Sequence, residues 1–251
     1  MKITRYFLVL ILIFFSCQNQ QKKTIEKEPW IQNPTSQWPD FALTNTVKFK
    51  DTVYRDIANS FLVDTGYDTI AVSCKHLFMV FRNANMNSID LGADFVSWEM
   101  YPKGQIDKSV QVEQLINSNK NESIGEFNTL KVRDWLIFKI TNKNKDIYPL
   151  EIRTTPVRTD EFVYAIGWGH KQLTKTPSLI KMKVYKNLGD YYYILTKTEN
   201  VSPVGRSGSP VIDANGYLVG IVSGQEGRLG VIGSVKYLNG LFEKYGIKHQ
   251  Y

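Results

Sequence analysis

Thiols are scarce in this chain. Among 251 residues only Cys17 and Cys74 are cysteines, so at most one disulfide could form, none if Cys17 is modified, and stability must come from a buried core. No apolar run is long enough to cross a bilayer as a lasting helix; the N-terminal one covers only Tyr6 to Phe15. No cluster of His, Cys, Asp and Glu at metal-ligand spacing occurs, nor any glycine loop built to cradle phosphate, so no metal or other cofactor is implied. A basic helix and an RNA-type aromatic motif are missing too. The formal charge of +7 comes from Lys and Arg scattered among acidic residues. It reads as a solvated surface, and nucleic acid is not an expected partner.

What is present begins with Lys2 and Arg5, the apolar run, and then Phe14-Phe15-Ser16-Cys17. This order resembles a bacterial lipoprotein signal, in which a small residue precedes a cysteine that is lipidated and becomes the new N-terminus. The aromatic pair departs from the usual pattern, and an ordinary secretory signal is the alternative. The reading implies that residues 1–16 are removed and that Cys17 carries lipid. The mature protein is then a membrane-anchored lipoprotein of a bacterial cell envelope, facing the periplasm or the outside. Cys74 would be its one remaining thiol, and its charge would fall to +5 as Lys2 and Arg5 leave. Residues 17–40 are polar, carry Pro29, Pro34 and Pro39, and read as a flexible tether.

From Phe41 onward the pattern changes to short runs rich in Tyr, Phe, Val, Ile and Thr with frequent alternation, the signature of strands. A polar stretch, residues 141–161, divides two such series. The boundaries expected are an N-terminal β-barrel over 41–147 and a C-terminal β-barrel with its helix over 148–251. Only the end looks helical. Val235, Leu238, Leu241, Phe242 and Tyr245 recur at spacings of three and four, with Ser234 as N-cap and Gly246 as stop. Many short strands and one terminal helix argue for an all-β architecture of two packed antiparallel barrels. No sequence repeat links the halves.

Chemistry is suggested by "VGRSGSPVI", residues 204–212. A serine near two glycines, before Pro and an apolar run, is either a tight turn into a strand or a nucleophile on a bent backbone. Of three histidines, His249 lies near the end and His170 follows a turn-like segment, whereas His76 closes the apolar run "TIAVSCK". Taken together, the segments resemble the trypsin-like serine peptidases, especially the bacterial HtrA-type branch. The likeness runs through Ala58-Asn59-Ser60-Phe61, then Thr69 to His76, Asp134 before the apolar Trp135 to Ile140, and Val163 to Gly169. It ends with Gly205-Arg206-Ser207-Gly208-Ser209-Pro210-Val211 and the strand Leu218 to Gly224.

That resemblance implies six-stranded barrels of the chymotrypsin type and a serine endopeptidase working through an acyl-enzyme. His76 would be the base, Asp134 its orienting carboxylate and Ser207 the nucleophile, in the order of the chymotrypsin triad. The N–H groups of Gly205 and Ser207 would form the oxyanion hole. Val201 would floor the primary pocket, which argues for small or medium apolar side chains. Ser223, Gly224 and Gln225 would pair with the backbone of a protein or peptide substrate.

Two departures bear on activity. Arg206 stands where the family has Asp or Asn, removing the buried salt bridge that activates trypsin-like zymogens. Lys75 could depress the His76 pKa if it points inward.

A different class stays open: a lipid-anchored, catalytically inactive relative that binds peptides or proteins. Asp64-Thr65-Gly66 copies an aspartic-peptidase motif, but no second copy exists to share a proton, so a hairpin turn is expected there. Cys74, two residues from His76 on a strand, is read as a small buried hydrophobe. Oligomeric state is not legible.

Overall fold

A computed structural model describes residues 26–81, 88–126, 130–196 and 205–251. Cys17 and Val201 lie outside these residues. The first half supplies β1 (Leu43–Phe49), β2 (Val53–Asp64), β3 (Thr69–Ser73), the short helix α1 (Leu77–Phe81), β4 (Ser88–Ile89) and β5 (Phe95–Tyr101). It continues with β6 (Val110–Leu115), β7 (Asn119–Ser123), β8 (Leu136–Ile140) and β9 (Leu150–Glu151). The second half supplies β10 (Phe162–Gly167), β11 (Ser178–Asn187), β12 (Tyr191–Thr196), β13 (Pro210–Ile212), β14 (Leu218–Glu226), β15 (Leu229–Ser234) and α2 (Val235–Lys244).

Hydrogen bonding closes each half on itself. In the first, β1-β2-β3-β8-β6-β5 form a ring that β5 and β1 complete, with β9 added in parallel beside β2. In the second, β10-β11-β12-β15-β14-β13 form a closed ring. Counted along its own half, each ring runs first, second, third, sixth, fifth, fourth. The two barrels therefore share one connectivity although no repeat is visible in sequence.

The alternation read from the sequence is what closes them. In β11, Ile180, Met182 and Val184 are buried while Lys181 is exposed, so one face packs the barrel interior and the other meets water. The first barrel is filled by Phe61, Trp98, Trp135 and Phe138, all fully buried. Trp98 lies 4.8 Å from Phe138 between ring centroids and donates its indole N–H to the Asn45 side chain, so its polar edge is satisfied inside the core.

The C-terminal helix forms as the spacing predicts. The Ser234 hydroxyl accepts from the Lys236 amide, and Gly246 takes a left-handed φ of +67°. Leu238, Leu241 and Phe242 do not stay with the second barrel but join the core of the first. The tail returns with them, the Gln250 amide donating to the Thr65 carbonyl. Asp64-Thr65-Gly66 is a hairpin turn between β2 and β3, closed by the Gly66 amide on the Asp64 carboxylate.

Residues 26–40 differ from the flexible tether expected of them. They wind through two 3-10 turns, Pro29–Gln32 and Thr35–Gln37. Trp30 is buried against Trp38, Phe41 and Tyr148. The Glu28 amide donates to Asn215 in the second half, and its carboxylate accepts from the Tyr148 hydroxyl. Burial of Trp30, with the partly buried Trp38 packed against it, outweighs the polar, proline-rich composition. The segment is a strap across both barrels. Residues 141–161 likewise do more than cross over: β9 extends the first sheet, and Ile152 bridges to Leu218 in the second.

Candidate active site

His76 leaves the end of β3 and opens the turn that becomes α1, its carbonyl accepting from the Met79 amide. Asp134 lies just before β8, after a turn in which Arg133 bonds back to Leu130. Because β3 and β8 are paired, the two side chains meet. Asp134 is fully buried, and its two oxygens are taken by one residue. Oδ1 accepts from the His76 amide at 2.8 Å, and Oδ2 accepts from His76 Nδ1 at 2.7 Å. A carboxylate can only accept, so Nδ1 carries the proton and the neutral ring keeps its lone pair on Nε2.

Opposing effects set the His76 pKa. Burial pulls it down, but the Asp134 charge, Cys74 and the hydrogen bonds to both hold it well above its usual value of 6.5. Lys75 does not depress it. Its side chain is buried and its ammonium pairs with Glu122 at 2.8 Å, and Arg133 pairs with the same carboxylate. Burial pulls the Lys75 pKa down against the pull of Glu122. Cys74 is also fully buried, with Sγ 3.9 Å from His76 Nε2.

Ser207 lies in the turn over residues 205–209 that leads into β13. Gly205 and Gly208 hold φ of +84° and +80°, a region open to glycine and costly to other residues. A Cβ at Gly208 would strike the Asn59 carbonyl, and one at Gly205 would strike the backbone of His170. His76, Gly205 and Ser207 line one cleft of about 500 Å³. Ser207 is half-buried there. Ser223, Gly224 and Gln225 lie apart from this cleft, on β14. Among the described residues, β14 pairs with β13 as far as Ile221 and Val222 bonds to Gly208 and Ser209, and beyond Val222 no described strand lies on that edge, although Ser223 itself is buried.

Two residues whose roles were not read from the sequence fix this turn. Asn59, at a bulge of β2 and fully buried, accepts from the Trp168 amide at 2.8 Å. Its Nδ2 donates to the carbonyls of Trp168 (3.1 Å), Gly205 (3.2 Å) and Ser207 (3.4 Å). Its own amide donates to Ser207 O at 2.7 Å. Arg206 points the other way, into the second barrel, donating to Gly167 O at 3.0 Å and Ser178 Oγ at 2.8 Å. Burial pushes its pKa down. The substitution of Arg for Asp or Asn therefore does not leave the turn unsupported. Asn59 holds it from one barrel and Arg206 from the other.

Two six-stranded antiparallel barrels, with a histidine–carboxylate pair beside a serine-lined cleft, define the chymotrypsin-like class. The chain belongs to the trypsin-like peptidase domain family, whose model matches residues 58–221. Solved structures agree on the fold. The active form of the Rv3671c protease from M. tuberculosis superposes with a TM-score of 0.56 at 15% identity, over 90% of this chain and 89% of that one. The serine endoprotease from Yersinia pestis gives 0.55 at 13% identity, over 82% of this chain and 63% of that one. No curated protein matches.

Proposed function

We propose that this protein is a lipid-anchored serine endopeptidase of the cell envelope, cleaving protein or peptide substrates through Ser207, His76 and Asp134. The observation that carries the proposal is the two-point grip of Asp134 on His76, at the border of a cleft that Ser207 also lines. Ser207 Oγ attacks the substrate carbonyl carbon as Nε2 takes its proton, forming the C–O bond of a tetrahedral intermediate. The N–H groups of Gly205 and Ser207 hold the oxyanion. The imidazolium then protonates the leaving amine as the C–N bond breaks, and water, deprotonated by the same ring, releases the acid. Asp134 keeps the tautomer and offsets the transient charge. Substrate backbone pairs with the open edge at Ser223–Gln225 by strand addition, and Val201 sets a preference for small or medium apolar side chains.

Two other readings are weaker. Cys74 could pair with His76 by distance, but its thiol is fully buried whereas Ser207 lines the cleft. An inactive binding protein keeps the fold, yet has no need of a desolvated carboxylate held on a histidine. Labelling by a fluorophosphonate probe decides the matter. The wild-type chain takes the label, Ser207→Ala does not, and iodoacetamide leaves the reaction unchanged. A folded wild-type chain that takes no label would make it a binding protein.

A further inference from the structure

The same cleft has a charge that the triad does not require. It extends from His76 and Ser207 between the β2 segment around Asp56 and the turn that follows β10. Arg55, Lys103 and Lys171 line it, with Asp56 as the one carboxylate. Among the described residues none of the three cations forms an ion pair, and Asp56 is held by the Tyr101 hydroxyl at 3.1 Å. Lys103 donates to the Gln172 carbonyl at 2.7 Å, which ties the two rims together and fixes its charge at the cleft.

Backbone strain is concentrated at the same place. Among the described residues four non-glycine residues have left-handed φ, and three of them, Asp56 (49°), Ala58 (50°) and Lys171 (63°), line this cleft. Each such residue costs of order 1 kcal/mol, and strain of this kind gathers at sites whose shape is held for use.

The direction of the cleft follows from the chemistry. The imidazole that takes the serine proton must hand it to the leaving amine, so the substrate beyond the scissile bond departs on the imidazole side. The cleft is bordered by His76 and by Leu77 and Val80 directly after it, and the open edge of β14 lies outside it. We infer that this cleft receives the leaving-group side of the substrate and selects acidic side chains there, with Arg55, Lys103 and Lys171 as the residues that determine specificity. The inference rests on the peptidase reading above. Partly exposed charges give modest attraction each, of the order of 0.2–1 kcal/mol. Three acting on Asp or Glu rather than Lys or Arg give about tenfold discrimination.

Digestion of a proteome-derived peptide library by the full chain tests this. The expected result is enrichment of Asp and Glu over Lys and Arg, about tenfold, within the first few positions after the cleaved bond. The enrichment shrinks at high salt and inverts in the double variant Arg55→Glu, Lys171→Glu. A wild-type chain that takes the fluorophosphonate label but cleaves without regard to charge on that side overturns the inference and leaves the peptidase reading intact. A wild-type chain that takes no label sinks the peptidase reading instead. Binding of fluorescein-labelled poly-Glu and poly-Lys peptides to the Ser207→Ala chain then settles the charge preference. Severalfold tighter binding of poly-Glu supports it, and equal binding ends it.

Discussion

At the scale of the residue, His76 is pulled two ways. As a base it must be neutral, yet against the pull of burial the Asp134 charge, Cys74 and the hydrogen bonds to both favour the charged form. The acid limb of kcat/KM should therefore lie above the usual histidine value of 6.5, read from a pH profile with a cleavable peptide. Asp134→Asn removes the charge, moving that limb down and lowering kcat by about 10⁴. A wild-type limb at or below the usual value would contradict the geometry. Stability has the opposite sign. A folded pKa raised above the unfolded one contributes stability below the unfolded value, and that contribution is lost as pH rises through the folded value. The pH range that suits catalysis is thus the range in which the His76–Asp134 pair stabilises least. The pairing of His76 with Asp134 was legible, because each sits in a local pattern of strand and turn residues in a recognisable order. The side on which Lys75 would lie was not. Glu122 decides it, far along the chain, and no local pattern announces such a partner.

At the scale of the element, β2 matters through one side chain. Asn59 binds carbonyls on both sides of Arg206 and both polar atoms of the Trp168 peptide, so it aligns two segments of the second barrel from the first. Asn59→Ala leaves several buried groups unpaired and should cost about 2–3 kcal/mol in urea unfolding. The sharper variant is Asn59→Asp, which keeps an acceptor for the Trp168 amide but loses the donors to Gly205 and Ser207. It sets a carboxylate oxygen against three carbonyls, so it should cost more stability than Asn59→Ala and, where it folds, lose most of its fluorophosphonate labelling rate. Full labelling in a folded Asn59→Asp chain would show that the turn holds without it. In sequence Asn59 is one polar letter inside a strand, because its partners are more than a hundred residues away. Residues 26–40 show the converse. Their composition pointed to a tether, and only Trp30 and Trp38 hinted at packing that depends on Tyr148 and Asn215.

At the scale of the whole molecule, two barrels with an appended helix were readable from strand length, alternation and the single 3.6-residue pattern at the end. The ring order was not, since it depends on which strands pair at long range. Nor was the return of the helix to the first core. The N-terminal anchor is tested at this scale. The full-length protein should fractionate with membranes and partition into detergent, and Cys17→Ser should stay in the aqueous phase. A wild-type chain found wholly in the aqueous phase would remove the lipid from the proposal. The returning segment has a consequence for synthesis. Leu238, Leu241 and Phe242 complete a core begun by β1, and Gln250 closes on Thr65. While the ribosome is still making the second barrel, the first therefore lacks part of its apolar core. The core of the histidine-bearing half is thus complete only once residues 235–251 have emerged.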